Sequence, residues 1–227
     1  MRMSTHILDN PIWASLSTYH RGLAQGAGDL LRYPAEFAPF LALPRAGLAD
    51  GAALASLVRA DETLFLVGPR PDAPSEWRVD DLALLAQMVC QVPMPEVPGP
   101  AIVRLSEHHR PAVLALTELV YPHYFRRRTM ELGRYFGIIE QGRLAAMIGE
   151  RMGCPGFREV SAVCTHPDFA GRGLARRLLA FLTNDIIQQG ATPFLHVSPQ
   201  NERAKRLYDQ KGYHTRSQIA FWSLRRK

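Results

Sequence analysis

The most informative segment of this chain reads Val160-Ser161-Ala162-Val163-Cys164-Thr165-His166-Pro167-Asp168-Phe169-Ala170-Gly171-Arg172-Gly173-Leu174-Ala175. Its β-branched and apolar start predicts a strand, Pro167 marks a turn, and the residues after Gly173 predict a long helix. Gly171 and Gly173 allow a tight bend that exposes consecutive N–H groups. Those groups, together with the positive end of the following helix, are typical of a phosphate site. A solvent loop with two ordinary glycines is the alternative.

Two familiar phosphate-binding loops are excluded by spacing. The segment contains no Gly-Lys-Ser/Thr, which a nucleoside-triphosphate loop requires. A dinucleotide fingerprint would need Gly or Ala at position 176, where this chain has Arg176.

A second segment follows in the right place to complete a site. Residues 193–198 predict a strand, and residues 201–211 predict a helix. Asn201, Ala204 and Tyr208 are spaced i, i+3 and i+7, so they share one face of that helix. Taken alone, Tyr208 is more typical of a half-buried aromatic residue than of a catalyst.

Together the two segments resemble the GNAT superfamily of N-acetyltransferases. That family's pyrophosphate loop has the pattern Gln/Arg-x-x-Gly-x-Gly/Ala, and residues 170–175 keep its Gly and its final Ala. The later helix of the family carries Asn, Ala and Leu-Tyr before Gly-Phe/Tyr, matched here by Asn201, Ala204, Leu207-Tyr208 and Gly212-Tyr213. The resemblance covers about 125 residues and implies an α/β (α+β) fold with a mixed, splayed sheet flanked by helices. Ala170 departs from the pattern, and Arg172, Arg176 or Arg177 could replace the missing side chain.

The resemblance also implies a ligand and a set of residues. The ligand is acetyl-CoA or another acyl-CoA, and the reaction is acyl transfer to a primary amine by direct attack in a ternary complex. Tyr208 is expected to protonate the departing thiolate, and a backbone N–H, best at Val163, to hold the thioester carbonyl. The residues expected to contact the ligand are Val163, Cys164, Thr165, Ala170, Gly171, Arg172, Gly173, Leu174, Ala175 and Asn201.

The general base is less well defined by the sequence. Glu159, at the start of the central strand, is the preferred carboxylate. The alternative interpretation is that Glu159 is only a surface residue paired with Arg158. His196 on the neighbouring strand is the second choice, and Glu118, His123 and Glu150 are further options. His166 before Pro167 is expected to be a turn residue. Cys164 is a poor candidate for an acyl-accepting nucleophile because strand cysteines are usually buried and inert.

Four prolines in residues 92–100 indicate an extended linker. It divides the chain into an N-terminal α/β region over 1–91, smaller and without a chemical motif, and an acetyltransferase domain over 101–227. The N-terminal region is interpreted as a degenerate half of the same fold or a lid. Within it, helices are predicted over 52–58 and 80–90 and a strand over 62–67. In the second part, helices are predicted over 110–119 and 121–131 and a hairpin over 135–151.

The chain has 227 residues with 27 basic and 21 acidic side chains, a net charge of +6. The excess lies in the last 70 residues, which suggests a polyanionic partner. With three cysteines and neither a C-x-x-C pair nor a candidate membrane span, a cytoplasmic protein without a metal site is expected. The expected partner is a small-molecule or peptide amine, with neither nucleic acid nor membrane, and a homodimer is left open. Arg126-Arg127-Arg128 could bind an acidic group, although a solvated helix face is the preferred interpretation.

Two other functions compete with the enzyme. One is a non-catalytic acyl-CoA-binding or regulatory module of the same fold. The other is nucleic-acid binding through the basic C-terminal third, against which no aromatic-basic interleaving and no helix-turn-helix pattern appears.

Overall fold

A computed structural model describes residues 6–120 and 122–227. Five α-helices lie among these residues: α1 Pro11–Ser17, α2 Gly51–Leu57, α3 Arg110–Val120, α4 Leu174–Gln188 and α5 Glu202–Gln210. The strands are β1 Gln25–Ala27, β2 Leu30–Arg32, β3 Leu41–Ala42, β4 Gly47–Leu48, β5 Thr63–Val67, β6 Pro71–Asp72, β7 Trp77–Val89, β8 Val103–Leu105, β9 Tyr135–Glu140, β10 Arg143–Cys154, β11 Phe157–Thr165, β12 Thr192–Val197 and β13 His214–Arg226.

Eight strands form one large mixed sheet in the order β5-β13-β7-β12-β11-β10-β9-β8. Every neighbouring pair is antiparallel except β11 and β12, which run parallel. That parallel pairing covers only Phe157–Glu159 against Thr192, Pro193 and Phe194. Beyond this short stretch the two strands diverge, so the splayed sheet predicted from the family resemblance is confirmed.

Helices α3 and α4 cover the two faces of the sheet. The stripe Leu174, Leu178, Leu182 and Ile186 of α4 is buried, as its four-residue spacing predicts. It packs in a cluster with Ile148 of β10, whereas Met147 packs in a different cluster with α3. Because neighbouring residues of a strand point to opposite faces, the two helices lie on opposite sides of β10.

The helix predicted over 80–90 is wrong: these residues belong to the long central strand β7. Apolar residues at 82, 84, 85, 88 and 89 imitate a helical stripe. The strand lies between β12 and β13, and its second half, Ala86 to Val89, is buried on both faces. A strand buried on both faces loses the alternation that distinguishes strand from helix.

The helix predicted over 121–131 is also wrong. Residues 122–124 and 127–128 form turns, residues 125–126 are irregular, and only a short 3-10 helix, Thr129–Leu132, follows. The Thr129 hydroxyl accepts from the backbone N–H of Arg126 at 2.7 Å and donates to the Phe37 carbonyl at 2.6 Å. These bonds tie the segment to the N-terminal part of the chain. Tyr121 lies outside the described residues.

The other predicted elements are confirmed, with ends shifted by a few residues, and the domain division at 92–100 stays a prediction. The large sheet crosses that division, because β5 and β7 lie in residues 1–91 and pair with β12 and β13, which lie in residues 101–227. The remaining strands of the N-terminal region form a three-stranded and a two-stranded sheet. Its two longest strands therefore complete the large sheet.

No helix in residues 6–120 or 122–227 is long and apolar enough to cross a membrane. Within the same ranges, no group of three or more His, Cys, Asp or Glu side chains could hold a metal ion.

Candidate active site

The candidate site begins where β11 and β12 separate. Their pairing ends at Glu159 and Phe194, which leaves a slot between the rest of the two strands. On its other side β11 pairs with β10 through a bulge, because Met147 faces Cys164 whereas Gly149 faces Ser161. Ala162 within this bulge has φ of 51°, a conformation unusual for a side chain other than glycine. Such local strain is common at functional sites because it redirects backbone groups.

A cavity of about 560 Å³ occupies the slot. It is lined by every residue of β11 from Glu159 to Thr165, including Val163, Cys164 and Thr165. Asn201 and Tyr208 line its other side.

A second cavity of about 650 Å³ lies against the glycine loop. Its lining includes all the loop residues predicted from the sequence: Ala170, Gly171, Arg172, Gly173, Leu174 and Ala175. The two cavities share Val163, Thr165, Asn201, Ala204 and Tyr208, so together they form one groove from the slot to the loop. The structure thus brings to one groove every residue that the sequence analysis expected to contact the ligand.

The loop has the geometry of an anion cradle. Gly171 and Gly173 have φ of 78° and 75°, in the left-handed region that glycine occupies most easily. Gly173 is the residue before α4, and no side chain caps this 15-residue helix. The first N–H groups of such a helix have no partner within it and are electropositive.

The four arginines near the loop differ in their placement. Arg176 and Arg203 line the loop cavity and are exposed. Arg172 also lines it but is ion-paired with Glu140 at 2.5 Å. Arg177 instead donates hydrogen bonds to the carbonyls of Val97 and Pro100, so it holds the proline-rich segment against α4. Arg176 and Arg203 are therefore the better replacements for the side chain missing at Ala170.

Tyr208 lies at the junction of the two cavities and is 8% exposed. Its ring is 6.0 Å from that of Tyr213, which is buried on the same side of α4 and shares a hydrogen bond with Thr183. Tyr213 lines neither cavity. Asn201 caps α5 by accepting the N–H of Ala204 at 3.1 Å, which fixes its amide at the cavity wall.

Glu159 lines the slot, but it is 1% exposed and ion-paired. Arg151 donates to its two oxygens at 2.8 and 2.9 Å, and His196 Nδ1 lies 2.8 Å from Oε1. Burial raises the pKa of this carboxyl, but the charge and hydrogen bonds of Arg151, aided by His196, outweigh burial and lower the pKa to about 2. A carboxylate this acidic is a weak proton acceptor at neutral pH, so the geometry argues against Glu159 as the base.

His196 is committed to the same network. Gln87 Oε1 accepts from Arg216 Nε at 2.6 Å, so Gln87 Nε2 is the donor to His196 Nε2 at 3.0 Å. The His196 proton then sits on Nδ1 and is donated to Glu159. Both ring nitrogens of His196 are therefore engaged in hydrogen bonds, and neither is free to contact a substrate. No motif or spacing in the sequence indicated Arg151 or Gln87, which lie on other strands.

The remaining candidates lie away from the groove. Glu118, His123 and Glu150 line neither cavity, and Glu150 is ion-paired with Arg134. His166 accepts the N–H of Asp168 and begins a 3-10 turn, as predicted. Burial raises the pKa of Cys164 to about 12, which agrees with an inert thiol.

The arginines at 126–128 are also outside the groove, and they lie in turns rather than on a helix face. Arg128 is ion-paired with Glu131 and stacks over Phe37. A cavity of about 1090 Å³ beside β8 contains Arg127 and Arg128 but none of the predicted site residues. Its acidic and basic side chains largely pair with each other.

Comparisons with known proteins agree with this geometry. The family model described as FR47-like protein matches residues 135–222, the part that holds the slot, the loop and α5. A crystal structure of a GNAT-family protein from Novosphingobium aromaticivorans DSM 12444 is 36% identical, with 98% of this chain and 100% of that chain covered and a TM-score of 0.88. A search of curated proteins found no match.

Two more distant structures share the fold. A GCN5-related N-acetyltransferase from Kribbella flavida is 18% identical over 92% of this chain and 93% of its own, with a TM-score of 0.60. A GCN5-related N-acetyltransferase-like protein from Streptococcus suis 89/1591 is 15% identical over 95% of this chain and 92% of its own, with a TM-score of 0.56. The full-length match at 36% identity and the splayed sheet lead to the same family, and this chain belongs to the GNAT superfamily of acetyltransferases, whose fold supports acyl transfer.

Proposed function

We propose that the chain is an N-acyltransferase that moves an acetyl or another small acyl group from acyl-CoA to a primary amine. One observation carries the proposal: the slot between β11 and β12 is continuous with the glycine loop, and Tyr208 lies where the two meet. A long ligand with a phosphate end and a reactive end matches a groove with a basic loop and a buried slot.

The residues present fit such a ligand. The uncapped N-terminus of α4 and the N–H groups around Gly171 and Gly173 would hold the pyrophosphate, with Arg176 and Arg203 nearby. The divergence of β11 from β12 exposes strand backbone with which an amide-containing arm can pair. When bound, acyl-CoA supplies an activated thioester.

Residues of this chain would then supply the hydrogen-bond donor and the proton donor that the reaction needs. The amine nitrogen forms a bond to the acyl carbon, and the carbon–sulfur bond breaks. The N–H of Val163, next to the bulge at Ala162, stabilises the charge that develops on the carbonyl oxygen. The Tyr208 hydroxyl gives its proton to the departing thiolate, and the nitrogen loses its surplus proton to water. Glu159, held by Arg151, keeps β11 and β12 in register at the base of the slot.

The three cysteines, Cys90, Cys154 and Cys164, are free and buried, which fits the proposed reducing cytoplasm. The proposed partner of the site remains a small-molecule or peptide amine.

The test compares Tyr208→Phe with a matched control, Tyr213→Phe. Tyr208→Phe is expected to lower kcat by ~10²- to 10⁴-fold while CoA binding, measured by calorimetry, is kept. Tyr213→Phe loses a buried hydrogen bond to Thr183 but should keep kcat. If the wild type binds CoA and acylates no amine, the chain is a non-catalytic acyl-CoA-binding module. If Tyr208→Phe keeps full kcat, another group protonates the thiolate.

A further inference from the structure

The slot cavity extends into a chamber that the loop cavity does not share. Its walls are apolar and aromatic, and they are formed by Phe40, Val67, Leu85, Val120, Tyr124 and Phe221. We call these six residues the acceptor chamber. Three of them precede the proline-rich segment, so the N-terminal region supplies half of these walls.

The aromatic rings of the chamber form one packed set. Phe221 and Phe40 lie at centroid distances of 5.8 and 6.5 Å from Tyr124, and Phe65 behind them contacts both Tyr124 and Phe221. Ring edges and faces arranged in this way favour a flat, apolar guest.

The charges around the slot cavity cancel. Its ionic lining consists of Arg151 and Glu159, which are paired with each other at 2.8 Å. The other titratable groups that face it are His196, Tyr124, Tyr208 and Cys164. His196 donates its proton to Glu159, and burial raises the pKa of Tyr124 and Cys164. The lining thus offers no net negative charge to an ammonium ion, whose transfer from water into apolar surroundings is costly.

We propose that the acceptor is an aromatic amine that is uncharged near neutral pH. This inference rests on the proposed acyltransferase function and names its substrate class. A neutral aromatic amine loses little hydration on entering the chamber and stacks against its rings.

An uncharged acceptor also explains why Glu159 and His196 can both be held in an ion pair and in hydrogen bonds. A neutral amine attacks with its own lone pair, so no base is needed before the nitrogen–carbon bond forms. The nitrogen becomes acidic after attack and gives its proton to water, while the carbon–sulfur bond breaks and the thiolate takes a proton from Tyr208. The Tyr208 phenolate then takes a proton back from water, which balances the proton released by the nitrogen.

The experiment compares aniline with benzylamine as acceptors for acetyl-CoA from pH 6 to 9. The two share a ring and differ in whether nitrogen is protonated near pH 7. We expect kcat/KM for aniline to exceed that for benzylamine by at least ~10-fold at pH 7, and the ratio to fall about tenfold per pH unit as benzylamine loses its proton. Taking the ratio cancels any pH dependence of the free enzyme, because both acceptors meet the same enzyme. A benzylamine rate above the aniline rate at pH 7 would overturn the proposal.

A charged side chain introduced at the rim of the acceptor chamber tests the same inference by changing the protein instead of the substrate. Leu82 lines the cavity and is 44% exposed, whereas Leu84 on the same strand is 55% exposed and lies outside it. Leu82→Glu should raise kcat/KM for benzylamine by about 3-fold, and Leu82→Lys should lower it by a similar factor. Leu84→Glu should change it much less. Equal effects of glutamate at both positions would refute an acceptor chamber beside Leu82.

Two further outcomes separate this inference from the proposed function. If CoA binds but neither amine is acylated, the acyltransferase proposal fails. In that case binding of aniline and benzylamine followed by NMR still tests the chamber, and tighter binding of benzylamine at pH 7 overturns the inference. If hexanoyl-CoA outperforms acetyl-CoA equally with both acceptors, the apolar walls serve the donor and the inference is wrong while the acyltransferase stands.

Discussion

Replacing Glu159 with Gln should destabilise the protein more than it damages the chemical step. The substitution preserves size and one oxygen but removes the buried negative charge. Arg151 then loses the carboxylate that accepts from two of its nitrogens, and His196 loses a charged acceptor. Removing one member of a buried ion pair typically costs about 3–5 kcal/mol.

The lowered pKa of Glu159, caused by the same contacts, gives the part of this stability that depends on pH. A carboxyl whose pKa is about 2 in the folded state and 4.5 when unperturbed contributes about 3 kcal/mol at neutral pH. Because the folded-state pKa is the lower one, this contribution is present above about pH 4.5 and is lost as the pH falls towards 2. About 2 kcal/mol of it is lost by pH 3.

The assay is urea unfolding of the wild type and Glu159→Gln at pH 7, 5, 4 and 3. We expect a difference of about 3 kcal/mol in the free energy of unfolding at pH 7 that shrinks to about 1 kcal/mol at pH 3. Glu150→Gln is the matched control, because Glu150 is a buried partner of Arg134, which also pairs with Asp185 at 2.6 Å. Glu150→Gln should lower the free energy of unfolding by less than Glu159→Gln does, because Arg134 keeps the carboxylate of Asp185 as a partner.

Two results would refute the reasoning. A difference between wild type and Glu159→Gln that does not change from pH 7 to pH 3 would mean that Glu159 carries no depressed pKa. A folded Glu159→Gln with kcat reduced by ~10³-fold or more towards aniline, and loss of the fall in rate at low pH that the wild type shows, would restore Glu159 as the general base.

Three further predictions concern the loop, the proline-rich segment and the thiol. Gly173→Ala forces a side chain into φ of 75°, which should cost about 1–2 kcal/mol and weaken CoA binding, measured by calorimetry. Arg177→Met removes the hydrogen bonds to Val97 and Pro100, and limited proteolysis should then cut residues 92–100 faster at unchanged CoA affinity. Cys164→Ala should keep kcat within about 3-fold, because a buried thiol with a pKa of about 12 is not a nucleophile at pH 8; inactivation would contradict this.

The groove that joins the slot to the glycine loop could be predicted from the sequence because its signals are local. The glycines at 171 and 173 are required by backbone angles, and the helix after them is specified by its own stripe. Asn201 and Tyr208 are two turns apart on one helix, so their shared face follows from spacing alone. Each inference needs only neighbours in sequence.

The acid–base environment could not be predicted, because it depends on contacts between distant strands. Glu159 meets Arg151 across a β10–β11 bulge and His196 where β12 leaves β11. Gln87 reaches His196 from a strand that the sequence pattern presented as a helix. Such partners decide whether a carboxylate acts as a base or as one member of an ion pair. Residue spacing in the sequence reveals none of them.

The position of β7 links the fold to specificity. It pairs with β12 through Ala86 to Val89 and with β13 along most of its length, so the N-terminal region occupies the edge of β12 that faces away from the slot. With that edge satisfied by β7, β12 can diverge from β11 without leaving both of its edges unpaired. The same strand carries Leu82 and Leu85 to the cavity wall. The strand that lets the sheet open at the slot thus also contributes to the proposed acceptor chamber, so under that proposal a region without a chemical motif helps to select the amine.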